Sequence, residues 1–393
     1  MPLTILSDQA ILSLLTSLTR PEILKITESL ARALSEYSSS TTGYAFRYQP
    51  QRTGITSPAG QLTLFMPFTS HTSIGTKIIS LPPPTPASST ATPISASASA
   101  SKPPAPAPKG VVTLLDASGN ATGLLNAAEL TAFRTSLASM ILFKNRQRTG
   151  KIVVFGAGKQ ALWHIRLALL LRGTEIEIIT IVNRSMDRAE ELVRKLEGDG
   201  YGDEQKADSK KVRFEVLDPL VLGYWQRVEE RLADADVVFC CTPSSRPLFP
   251  ARFLVEGGKI ERGCYVTAIG SHSAEMTELD PAIFTTVVNG TSSGSAFHPT
   301  EGGKGGVIVV DSRKACLVEA GEIIQGGIGA ESLVDVGELV GLEGSEKERA
   351  REWLESGFVV FKCVGIAVMD AAVASDLLDL ARSKGVGVSI PDF

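Results

Sequence analysis

Residues Lys151-Ile152-Val153-Val154-Phe155-Gly156-Ala157-Gly158-Lys159-Gln160-Ala161 decide the fold of this 393-residue chain. A short β-branched apolar run leads straight into the pattern G-x-G-x-x-A, and the apolar stretch Leu162 to Leu171 after it has helical length. In that setting of strand, turn and helix each small residue has a reason. Gly156 permits the tight turn, Gly158 lets the backbone approach a diphosphate, and Ala161 lets the helix sit close to the strand. The N–H groups of the first helical turn then face the phosphates. The stretch reads as a dinucleotide-binding, Rossmann-type half, with Gly156, Ala157, Gly158 and Gln160 as cofactor contacts.

Outward from this turn, strand-like runs at Ile152 to Phe155, Ile176 to Val182, Val212 to Leu217, Asp236 to Thr242 and Tyr265 to Gly270 alternate with helical stretches at 160–172, 186–197 and 219–233. That alternation predicts an α/β, doubly wound parallel sheet. The second strand ends in Asn183-Arg184-Ser185, where an NAD-specific site carries an acid for the adenine ribose. With no acid there, and a guanidinium that can fork onto phosphate oxygens, the cluster favours NADP(H) over NAD(H). Charge alone would leave Arg184 a solvated residue at a strand end.

Upstream, Ile11, Leu14, Leu15 and Leu18, then Ile23, Leu24, Ile26, Leu30 and Leu34, lie at helical spacing and predict two short helices over 7–36. Strands are expected at Tyr44 to Tyr48, Gly60 to Met66 and Lys77 to Leu81. In the 28 residues of 82–109 all but six are Pro, Ser or Ala, too little apolar surface to offset the entropy of ordering, so a disordered insertion is expected. Val111 to Asp116 and Leu124-Leu125 read as a hairpin and Ala127 to Asn145 as a helix. The polar, Gly-rich stretches Gly198 to Lys211 and Gly290 to Gly306 read as surface loops. Further helices are expected at 313–322, near 331–341 and from Val364 to Ser383, the last packed back on the first domain.

A chain of 393 residues exceeds one ordinary core, so two domains are expected. A net charge of -4, with both signs interspersed, offers no basic footprint for nucleic acid, and no apolar run approaches the length of roughly 18 residues that a membrane span needs. Five cysteines without a C-x-x-C pair and four scattered histidines give neither a disulfide framework nor a metal site. With no targeting pattern at Met1-Pro2-Leu3-Thr4 or at Ile390-Pro391-Asp392-Phe393, a cytoplasmic location is the expectation.

Several short segments are shared in order with one family. They are Gln51-Arg52-Thr53, Leu64-Phe65-Met66-Pro67, Gly75-Thr76-Lys77, Leu130 to Thr135, the Gly156 turn, Ala235 to Val238, Thr242 to Pro247, Ala268 to Ser271, Glu278-Leu279-Asp280, Val310 to Ser312 and Phe361 to Gly365. In these the chain resembles the ornithine cyclodeaminase and mu-crystallin family, which also holds alanine dehydrogenases and ketimine reductases. Insertions at 82–109, 198–211 and 288–306 lie outside the resemblance.

The resemblance implies a homodimer, with an α+β substrate and dimerisation domain from 1–134 with 335–393 beside a Rossmann domain at 135–334, and a small-molecule site in the cleft between them. It implies that Arg52 and Lys77 hold the carboxylate of an imino or amino acid by the reacting nitrogen, that Arg134 and Thr135 reach both cofactor and substrate, and that Thr242 and Pro243 adjoin the cofactor. The residue types suit those roles, since a guanidinium forks onto a carboxylate and a lysine beside an imine can move a proton. One departure matters. Cyclodeaminases and alanine dehydrogenases of the family carry an aspartate where Gly270-Ser271 is followed here by His272. That counts against cyclodeamination of ornithine to proline and ammonia. The expected activity is NAD(P)H-dependent reduction of a C=N bond by hydride transfer, with cyclic ketimine carboxylates as the substrate class. His272, whose ordinary pKa is near ~6.5, either protonates the imine nitrogen or lines the pocket. Cofactor binding without catalysis, in the manner of a crystallin, is the other alternative.

Overall fold

The computed structural model describes residues 2–39, 49–70, 73–81, 108–198, 212–290, 297–299, 305–391 and 393. The expected strand at Tyr44 to Tyr48, and nearly all of the expected insertion and surface loops, lie outside them. Strand β1 (Leu3–Leu6) leads into α1 (Asp8–Thr16) and α2 (Arg20–Ser38), which start where Ser7 and Thr19 accept hydrogen bonds from first-turn N–H groups. Strands β2 (Thr53–Thr56), β3 (Leu62–Thr69), β4 (Ile74–Leu81), β5 (Lys109–Leu115) and β6 (Ala121–Asn126) then form an antiparallel meander, with β1 added parallel to β6. Helix α3 (Ala127–Phe143) follows. It is apolar nearly all round, as a helix buried on every side must be, and it packs against α1, α2 and β5.

The second sheet is wholly parallel. Its first turns are β7 (Lys151–Phe155), α4 (Lys159–Arg172), β8 (Ile178–Val182), α5 (Met186–Gly198), β9 (Arg213–Leu217) and α6 (Tyr224–Asp234), then β10 (Val237–Cys240). Short helices α7 (Arg252–Val255) and α8 (Lys259–Arg262) precede β11 (Cys264–Ala268), and α9 (Pro281–Asn289) precedes β12 (Ile308–Val310). After α10 (Arg313–Glu319) and α11 (Gly321–Gln325) come β13 (Leu333–Asp335), α12 (Val336–Val340), α13 (Gly344–Ser356), β14 (Phe358–Lys362), α14 (Ala367–Lys384) and β15 (Val388–Ile390). The strand order is β13-β12-β14-β11-β10-β7-β8-β9, so the chain winds outward from β7 in both directions. The crevice at the carboxyl ends of β7 and β10 is therefore the topological switch point. Helix α3 packs on α4 from this side and on α14 from the other, which joins the two sheets.

Several expectations needed correction. Within 335–393, assigned by resemblance to the first domain, β14 lies between β12 and β11 in the parallel sheet. Its run Phe358-Val359-Val360-Phe361 is buried throughout, as a strand covered on both faces requires. By contrast α14 covers β3, β4 and β5 of the antiparallel sheet. The expected helix near 331–341 is broken into β13 and α12 because Asp335 and Glu338 form a capping box that starts a helix at Val336. The last helix begins at Ala367 rather than Val364, since the buried Asp311 carboxylate accepts the Val364 and Gly365 N–H groups at 3.2 and 2.6 Å and holds them out of the helix. All five cysteines are free and buried. Among the described residues no helix is long and apolar enough to cross a membrane.

Candidate active site

At the switch point, Gly156 has φ +110°, and a Cβ there would lie 2.9 Å from Thr242 Oγ1 and 3.0 Å from the Cys241 carbonyl, so only glycine lets the ends of β7 and β10 approach. Gly158 begins α4 with no side-chain cap, and a Cβ added to it would meet nothing within 4 Å. The first-turn N–H groups lack intrahelical partners and front a cleft of about 930 Å3. An uncapped helix start beside a glycine with free space before it is a cradle shaped for a diphosphate. This geometry fits a dinucleotide.

The same cleft brings together Arg52, Lys77, Arg134, Thr135, Gly156, Ala157, Gly158, Gln160, Asn183, Arg184, Thr242, Pro243 and His272. Ser185 does not line it; its carbonyl accepts the Asn183 side-chain N–H at 2.8 Å. Arg184 is exposed at the end of β8, and Arg188, one helical turn further on, lines the cleft beside it. The spacing of four residues was visible in the sequence, but only the start of α5 directs both guanidinium groups to one place.

At the other end, Lys77 on β4 is sealed from solvent and donates to Thr131 Oγ1 at 2.8 Å and to Asp370 Oδ1 at 3.0 Å. Arg134 Nε reaches the same Asp370 oxygen at 3.3 Å. Burial pushes the Lys77 ammonium down to about 8, Asp370 pulls against that, and Arg134 adds to the lowering. Asp370 was missed in the sequence, where it stands as a lone carboxylate between Met369 and Ala371 in an apolar helix. Arg52 forms an ion pair with Glu319 at 2.7 Å, with both side chains partly exposed. Burial raises the Glu319 pKa and Arg52 opposes it. His272 follows β11 with its ring open to the cleft, yet the enclosing walls and then the Arg52 guanidinium lower its pKa.

Buried polar groups fix the loops that carry these side chains. Glu278 accepts the Thr242 and Gly270 N–H groups at 2.5 and 2.6 Å, tying the ends of β10 and β11 together, and burial raises its carboxyl to about 7. Lys362, fully buried at the end of β14, donates to the Ser271 carbonyl at 2.6 Å and pairs with Glu322 at 3.2 Å. Sequence reasoning did not single out this lysine, although a charge closing the run Phe358 to Phe361 is a visible signal.

No family model matches the chain. It is 26% identical over 289 residues to a Delta(1)-pyrroline-2-carboxylate reductase of Bacillus cereus, covering 72% of this chain and 74% of that protein. It is 25% identical over 266 residues to the ketimine reductase mu-crystallin of Macropus fuliginosus, covering 67% of this chain and 66% of that one. Among solved structures it superposes with a TM-score of 0.68 on the Delta(1)-pyrroline-2-carboxylate reductase of Thermococcus litoralis in complex with NADH and L-proline, at 21% identity and covering 98% and 99% of the two chains. At that identity the superposition establishes the shared fold.

Proposed function

We propose that this chain, a member of the ornithine cyclodeaminase and mu-crystallin family, is an NAD(P)H-dependent reductase of imino acids, with cyclic ketimine carboxylates as substrates and NADPH as the preferred cofactor. The observation that carries the reading is that Arg52, Lys77 and Arg134 face the same cleft as the glycine turn before α4. A carboxylate next to a C=N bond would thereby be held within reach of a nicotinamide ring.

The turn Gly156 to Gln160 holds the diphosphate through backbone N–H groups. Asn183 and Arg184 after β8, with Arg188 in the first turn of α5, take the adenine ribose and its 2′-phosphate, and the absence of an acid at the strand end Asn183-Arg184-Ser185 favours NADPH. Thr135, Thr242 and Pro243 border the space between the two ends. A bound reduced nicotinamide supplies hydride to the imine carbon. Arg52 forks onto the substrate carboxylate and, with Arg134, fixes the C=N bond in one orientation. Lys77, held by Thr131 and Asp370, gives its proton to the imine nitrogen, which makes the carbon more electrophilic and leaves a secondary amine. His272, lowered by its surroundings, lines the pocket as a neutral group at pH 7.

The assembled state we propose is a homodimer, on the strength of the wholly exposed edge strand β2 and the exposed Ile55 on it. The activity is tested by mixing purified protein with NADPH and a panel of cyclic imino acids. Loss of NADPH absorbance with a cyclic ketimine carboxylate is expected. Ammonia release from ornithine without net NADPH change would replace the reading by cyclodeamination, and cofactor binding with no turnover on any substrate would replace it by a binding role.

A further inference from the structure

Every charged side chain lining the large cleft among the described residues is a cation, with Lys159, Arg184 and Arg188 at the end of the glycine turn and Arg52, Lys77 and Arg134 at the other. The carboxylates that answer the second group stand behind it. Asp370 is fully buried and shared by Lys77 and Arg134. Glu319 meets Arg52 from a smaller cavity of about 300 Å3 that opens beyond the guanidinium, and it does not line the large cleft. These three cations are ion-paired to only two carboxylates, so one of them is left for a ligand to meet, while the buried Asp311 behind Gly365 adds a further negative charge at the back of the site. His272 adds no positive charge at neutral pH, since its enclosure and Arg52 both favour the uncharged ring.

We propose that the substrate end of the cleft is matched to imino acids carrying a single negative charge, and that Glu319 is the residue that turns dicarboxylic ones away. This rests on the reading of Arg52 as the carboxylate anchor. One carboxylate answers the cation in excess of these ion pairs. A second would be taken from water with no further cation lining that end of the large cleft to receive it and with the Glu319 charge on the far side of Arg52, so desolvation and repulsion act together. The selectivity is thus built by an unfavourable contact with the wrong substrate class, not only by a favourable one with the right class.

The test is calorimetric titration of the full chain saturated with NADPH, using three planar probes: pyrrole-2-carboxylate, its 5-carboxamide, and pyrrole-2,5-dicarboxylate. The first two should bind within about threefold of each other and the dicarboxylate at least about tenfold more weakly. Glu319→Gln should recover most of that loss for the dicarboxylate while changing the monocarboxylate much less. Equal affinity for the mono- and dicarboxylate overturns the proposal, as does a carboxamide weakened as much as the dicarboxylate, because size would then decide. An unchanged gap in Glu319→Gln overturns the role of that residue. If NADPH binds and none of the probes does, the assignment of Arg52 fails and this inference fails with it.

Discussion

Lys77 and Asp370 stand 3.0 Å apart with neither side chain more than 2% exposed, and they come from β4 and from α14 at opposite ends of the chain. The second oxygen of Asp370 has no hydrogen-bond partner, so its charge is directed at Lys77 and Arg134 alone. Beside the lysine, that carboxylate opposes the burial that would otherwise neutralise it.

A pH dependence follows from that pair. A proton donor must hold its proton, so kcat/KM should fall as pH rises through about 8, the value to which burial brings Lys77. Asp370→Asn removes the group that opposes the lowering, which moves the fall to more acidic pH. At pH 8 the variant should lose about tenfold or more relative to its own rate at lower pH. A pH–rate profile of kcat/KM for both proteins checks this, and superimposable profiles would remove Asp370 from any part in setting the Lys77 proton.

The two glycines of the turn should respond differently. A methyl at Gly158 meets nothing within 4 Å, so Gly158→Ala should leave the melting temperature nearly unchanged while it obstructs the diphosphate and weakens NADPH binding by about tenfold or more. Gly156→Ala must adopt φ +110° and press on Thr242 and Cys241, which should cost about 1–3 kcal/mol of stability. Thermal melts and NADPH titrations of the two variants separate the effects. Equal loss of stability in both would contradict the open space before α4.

Cofactor preference is open to a similar test. Arg184→Ala and Arg188→Ala should each weaken NADPH binding by about tenfold and leave NADH within about twofold, because only the 2′-phosphate needs the guanidinium. Titrations with both cofactors measure the ratio. An unaltered NADPH to NADH ratio in the double variant would sink the assignment of the end of β8 to that phosphate.

The parallel sheet could be read in the sequence wherever a continuous apolar run ended in a turn residue, as at Ile152 to Phe155 before Gly156. Strand β14 is no less apolar, but it follows the polar helix α13 and precedes a segment read as helix from Val364, so nothing local separated it from that helix. Arg52, Lys77 and Arg134 were named because they sit in short segments shared with the family, whereas Arg188 and Lys362 were not named. The carboxylates paired with those three were not either, since Asp370 and Glu319 meet Lys77 and Arg52 only through tertiary packing of α14 and α10. A resemblance in short segments announces a group that touches ligand; it is silent about the group that stands behind it.

The acid side of the stability curve should expose two buried groups acting in opposite directions. His164 on α4 is wholly enclosed, with the Ser136 and Ser139 hydroxyls 2.9 and 2.8 Å from its two ring nitrogens, and burial lowers it to about 4. The unfolded chain protonates its histidine first, so this group favours folding above about pH 6.5 and withdraws on the order of 3 kcal/mol as pH falls toward about 4. Glu278 has the reverse sign: raised to about 7 when folded, it binds its proton before the unfolded chain does and adds stability of the same order as pH falls toward the unfolded value of 4.5. The two nearly cancel between pH 6.5 and 4.5. Melting temperature against pH should therefore be shallower in the parent than in either variant, with His164→Gln gaining stability on acidification and Glu278→Gln losing it. Parallel curves for all three proteins would mean that neither group is held away from its ordinary titration by the fold.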